Sequence, residues 1–263
     1  MVWHKESEGY SRVGGYKGVG TISAIGVVIA FAVMFARPYL ERAGWLAWLS
    51  TEKGVEKSLA EDPQIGPMMR QIEKLFPEDY ARLRDAVRKQ AATGDIAKVR
   101  EAFAVEMAGF YDRHRADFAQ APDTDLRQLI EMHLVLADKF HASGPGCARF
   151  FWTGLRGDEL IGDEDRKLLN DFYLARVTAM ANGRDNPAGR KTGPMDTETG
   201  TMLIDAMRTS GAPFNAMEFV EGKRKPDGMT PDMQCETGWH LIRSIRGMPI
   251  KQGYSLYTAL FGV

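Results

Sequence analysis

Three histidines and one cysteine are the residues of this sequence best suited to chemistry: His114, His133, His141 and Cys147. An imidazole near neutral pH serves as a base, a metal ligand or a buried hydrogen-bonding group, and a thiolate is a nucleophile. His133 and His141 lie eight positions apart on what reads as one helix. Their α-carbons are then separated by about 12 Å of helical rise, so the two cannot share a metal ion without a third element. Cys147 follows Ser143-Gly144-Pro145-Gly146 near the start of a helical stretch, where the helix dipole stabilises a thiolate. If these groups converge, the chain is a membrane-bound enzyme with a site near His133, His141 and Cys147. The contrary reading makes the histidines part of the core, because they share an apolar face with Leu126, Leu129, Ile130, Ala137 and Phe140.

Cys147 and Cys235 are the two cysteines of the chain. Three fates are open to them: a disulfide, two buried thiols, or a reactive Cys147. In an oxidising compartment a bond across so long a loop contributes ~4 kcal/mol by loop entropy. Met229, Met233 and His240 are soft ligands of the kind copper takes, and would make a periplasmic ligand- or metal-binding sensor domain; methionine also fills irregular helical cores. Arg184, Arg190-Lys191 and Lys223-Arg224-Lys225 form basic loops, suited to anionic headgroups or simply to solvent. The acids Asp158-Glu159 and Asp163-Glu164-Asp165 are adjacent in sequence, point in different directions on a helix, and fit a helix start better than catalysis. Phosphate-binding, dinucleotide-binding, zinc-protease and serine-hydrolase motifs are missing from the sequence. No catalytic residue, metal site or cofactor is therefore assigned.

The elements that must carry these residues read as all-α. Beyond Thr51 the apolar residues recur every three or four positions, with no strict alternation. Pro77-Glu78-Asp79 opens a helix with Tyr80, Leu83 and Val87 on one face, ended by Thr93-Gly94. Asp95 caps a long helix whose stripe runs Ile96, Val99, Phe103, Met107, Phe110, His114 and Phe118 to Ala121-Pro122. Further helices follow at about 124–141 and 147–155, and from Asp163 as a cap through Met180. Shorter ones are expected at about 199–209, 214–220, 231–246 and 254–261. The turn formers of Asn182–Pro194 predict an exposed loop that divides the soluble part near 182–196.

A single N-terminal transmembrane helix precedes this domain. Residues 18–36 form a run of 19 residues without a charge, roughly 28 Å long as a helix, enough to span the hydrocarbon core. Lys17 and Arg37 bracket it. Tyr10 and Tyr16 before it, and Trp45 and Trp48 after it, are the aromatics that favour bilayer interfaces. A cleaved signal peptide is the rival account, with Ala30-Phe31-Ala32 as its cleavage site, but the apolar run continues past that point. The expected layout is a polar tail 1–17, a transmembrane helix 18–36, an interfacial linker 37–58 and a helical domain 59–263. Basic residues flank the span on both sides, so the charge rule decides little. A short basic tail before a first apolar segment favours a cytoplasmic N-terminus and a periplasmic or extracytoplasmic domain.

With 34 Lys and Arg against 35 Asp and Glu, no global field collects nucleic acid, and none is expected as a partner. The functional expectation is a single-pass membrane protein whose helical domain is an interaction or structural subunit of an envelope rather than an enzyme. Its partners would be the lipid bilayer and a protein, the latter another chain or a second copy of itself.

Overall fold

Polar residues ahead of apolar periodicity start the helices. Thr51 Oγ1 accepts from Gly54 N, Asp95 from Ala97 N and Lys98 N, Asp196 from Thr199 N and Thr230 from Met233 N, each satisfying an amide that has no partner inside its helix. Gly94 and Gly211, with φ of 73° and 77°, follow helix ends in the left-handed conformation that a side chain would resist. The computed structural model describes residues 50–62, 65–143, 145–152, 162–190, 196–225 and 228–261. The apolar run 18–36, its flanks Lys17, Arg37, Trp45 and Trp48, and the acids Asp158-Glu159 lie outside the described residues. No described helix is long and apolar enough to cross a membrane.

The described residues are all-helical. In chain order the helices are α1 (Glu52–Glu61), α2 (Gly66–Leu75), α3 (Pro77–Ala91), α4 (Ile96–Arg113), α5 (Arg115–Ala119) and α6 (Asp123–Ser143). They continue as α7 (Pro145–Trp152), α8 (Asp163–Asp185), α9 (Thr197–Thr209), α10 (Phe214–Val220), α11 (Pro231–Gly247) and α12 (Ile250–Phe261). Helices α3 and α4 form an antiparallel hairpin. Two long helices organise the rest: α8 packs on α2, α5 and α6, while α11 packs on α6, α7, α9, α10 and α12.

Several expected boundaries move. Helix α1 covers residues 52–61, across the expected start of the domain at 59, and Val55 is fully buried. Helices α1 and α2 were not expected, yet Met68, Met69 and Ile72 of α2 are core residues at helical spacing. The helix expected from Asp95 to Phe118 is two, because His114 leaves helical geometry (φ −98°, ψ 14°) while its ring bonds Asp79 and Asp117. Asp163 is the first residue of α8 rather than its cap, which is Gly162; the acids behind it still face the positive end of the helix.

Residues on both sides of 182–196 belong to one apolar cluster. The loop itself is pinned: Ala188 N donates to Gln120 O, and the Gln120 side chain both donates to Arg190 O at 2.7 Å and accepts from Arg190 N at 3.0 Å. The Arg190 guanidinium bonds Ala119 O, Ala121 O and Asp123. Gly183 makes this fit possible, since a Cβ there would collide with Asp117 O.

Candidate functional site

The three residues on which an enzyme would depend meet separate fates. Cys147, with no exposed surface, is disulfide-bonded to Cys235, joining α7 to α11 across a sequence separation of 88. A bonded sulfur has no thiolate to offer, so the helix start at Cys147 carries no nucleophile.

His133, only 5 % exposed, points from α6 into aromatic rings of three helices. Phe150 and Phe151 come from α7, Phe172 from α8, and Tyr257 and Phe261 from α12, at centroid distances of 4.7 to 5.9 Å. Its Nδ1 lies 3.4 Å from Tyr257 Oη. Burial, with a smaller push from the Arg176 cation, lowers its pKa to about 3. It is neutral across the physiological range, and the cavity beside it, bounded by the described residues, measures about 20 Å³. Burial also raises the pKa of Tyr257. Arg176, itself 6 % exposed, lies over the Tyr111 ring at 4.4 Å, a cation–π contact that partly replaces lost hydration.

His141 sits about two turns beyond His133, near the C-terminal end of α6. Its ring stacks on Trp239 of α11, centroids 4.4 Å apart and 14° from parallel, and its Nε2 is 2.8 Å from Glu236 Oε1. The other oxygen of Glu236 faces His240 Nε2 at 3.7 Å, and His240 Nδ1 is 3.0 Å from Ser210 Oγ. Burial lowers the His240 pKa, opposed by Glu236 and helped by His141 and Arg243. Ser210, His240 and Glu236 thus line up in the order of a hydrolytic triad, but with the ring nitrogens reversed, the Glu236 contact longer than a hydrogen bond, and no oxyanion site. Ser210 stands at the C-terminal, negative end of α9, and the amides of Ser210, Gly211 and Ala212 are all bonded to carbonyls of that helix. None is left to stabilise an oxyanion.

The polar ladder continues along α6 and α11. Asp138 accepts from Trp239 Nε1 at 2.7 Å and pairs with Arg243, and Glu131 accepts from Arg246 at 3.0 Å. The nearest thing to a charged centre is elsewhere, at the base of the α3–α4 hairpin. Asp79 binds Arg82 at 2.5 Å, Arg113 at 2.7 Å and His114 Nε2 at 3.0 Å, while His114 Nδ1 is 2.7 Å from Asp117. Burial works to raise the Asp79 pKa, but hydrogen bonds from His114, Arg82 and Arg113 outweigh it and hold the carboxyl below its ordinary range.

Among the described residues no group of three or more His, Cys, Asp or Glu side chains is placed to hold a metal ion. Of the soft-ligand set, Met229 Sδ lies 3.8 Å from Thr237 Oγ1 and His240 Nδ1 faces Ser210 Oγ. The basic loops are largely engaged. Arg184 lies over Phe76 and bonds Leu75 O, Lys223 pairs with Glu221, and Arg224 pairs with Glu218.

Sequence reading missed Glu236, Arg176, Tyr257 and Asp79. The spacing of Glu236 and His240, four apart on one helix face, was the one available signal. Arg176, Tyr257 and the Arg113 and His114 contacts of Asp79 depend on partners more than 30 positions away. No family model matches the chain, and no curated protein or solved structure is similar to it.

Proposed function

We propose that the chain is a single-pass membrane-anchored protein whose helical domain, on the extracytoplasmic side, is an interaction or structural subunit rather than an enzyme. The observation that carries this reading is the separation of the reactive groups: Cys147 is spent in a disulfide, His133 is sealed among aromatic rings, and His141 is stacked at an edge. Turnover requires converging groups open to a substrate. A disulfide also suits an oxidising compartment, which agrees with an anchor at residues 18–36 and a domain translocated behind it. The bilayer and a protein partner, either another chain or a second copy, are the partners this reading requires.

The test is isolation of the tagged full-length chain from native membranes in mild detergent, with the particle mass and co-purifying proteins determined. A defined particle heavier than the 29.3 kDa chain and its detergent supports the reading. A lone monomer in the membrane fraction, or a chain found only in the soluble fraction, overturns it.

A further inference from the structure

We infer that the small cavity between α6, α7, α8 and α12 is a binding site for one ordered water molecule that links Arg176 to His133. Its volume is about 20 Å³. A water needs at least roughly 10–15 Å³ of such space and two to four polar partners, so one water fits and a larger guest does not. Four of the lining residues are phenylalanines, which leaves His133, Tyr173 and Arg176 to supply polar contacts.

The donor and acceptor inventory fixes the direction of the chain of bonds. A guanidinium only donates, whereas a neutral imidazole has one N–H and one lone pair. A water in the cavity accepts from Arg176 and donates to the lone pair of His133 Nε2. The proton of His133 then sits on Nδ1 and is donated to Tyr257 Oη, the 3.4 Å neighbour of that nitrogen. The opposite tautomer would aim an N–H into a cavity already faced by a fixed positive charge. The three polar side chains, His133, Tyr173 and Arg176, are each more than nine-tenths buried, so the water is held by groups with little freedom to turn away.

The experiment uses the full-length chain with ¹⁵N-labelled histidine near neutral pH. Ring nitrogen shifts read the tautomer, and magnetisation transfer from water reads the guest. His133 is assigned by the signal lost in His133→Gln or, if that variant does not fold, by its through-space contacts to the rings of Phe150 and Phe261. The expected result is an Nδ1–H tautomer, an Nε2 that accepts a hydrogen bond, and transfer from a long-lived water to the ring. An Nε2–H tautomer overturns the inference, and so does an Nδ1–H ring with no water transfer, which would mean a dry cavity.

Discussion

The ring of Phe151 fills the space beside Gly238 that a methyl group would occupy: a Cβ at position 238 would fall among the Phe151 ring carbons. That contact sets how closely α7 approaches α11, next to the Cys147–Cys235 bond and the His133 cage.

Gly238→Ala should therefore destabilise the domain by about 2 kcal/mol or more, because overpacking a filled core outweighs the ~1 kcal/mol that alanine gains in a helix. Gly247→Ala is the control, since open space surrounds that position; it should stay within about 0.5 kcal/mol of the parent. Urea unfolding of both variants decides the matter. Equal midpoints for Gly238→Ala and the parent would mean that the two helices do not meet in this register.

Opening the disulfide should cost more. The loop it closes is long, and loop entropy assigns the cross-link about 4–5 kcal/mol. Cys147→Ala/Cys235→Ala should show this loss in its urea midpoint, and the parent should show it when unfolded under a reductant. If reduction leaves the midpoint unchanged, the bond does not hold α7 to α11.

Most of the helical architecture was readable because long amphipathic stretches such as Tyr80–Val87 and Val99–Phe110 repeat their apolar residues at the helical period. Helices α1 and α2 escaped notice although Met68, Met69 and Ile72 lie at helical spacing, because the segment ahead of Pro77 reads as the linker and the domain's entry. The break at His114 escaped because the carboxylates that hold its ring come from two places, Asp117 nearby and Asp79 in another helix. The same physics separates what was and was not visible of the site. His133 and His141 could be placed on one helix, but the full burial of one and the partial burial of the other depend on α7, α11 and α12, whose packing is tertiary. Cys147 and Cys235 could be named as a pair, but only the approach of their helices, with Cα atoms 5.1 Å apart, joins them.

The buried His133 makes the fold acid-sensitive. Its folded pKa of about 3 lies below the unfolded value of about 6.5, so the unfolded chain binds the proton more readily. Its contribution is fully present above pH about 6.5 and is lost as pH falls towards 3, at up to ~1.4 kcal/mol per pH unit. His133→Phe, which keeps an aromatic ring in the cage, should flatten this part of the stability profile measured by urea unfolding at a series of pH values. A variant profile as steep as the parent's would place the acid sensitivity elsewhere.

Asp79 works in the same direction at lower pH. Its folded pKa is depressed by the His114, Arg82 and Arg113 bonds, so its stabilisation is present above the ordinary carboxylate pKa of about 3.9 and is lost as pH falls through the folded value. Asp79→Asn should cost about 2 kcal/mol near neutral pH, less than a fully buried pair because Arg82 and Arg113 are partly solvated. Hydrogen exchange should quicken first at the α3–α4 hairpin. A variant as stable as the parent would show that the hub contributes no net stability.

The proposed subunit, tethered to the membrane with its domain in an oxidising compartment, stands most directly on the state of its two cysteines in the cell. Cells making the full-length chain are quenched in acid, and the denatured protein is treated with a mass-tagged maleimide with and without prior reduction. The account predicts no tag before reduction and two tags after it, one each on Cys147 and Cys235. Two tags without reduction would show free thiols in a reducing compartment and would contradict it.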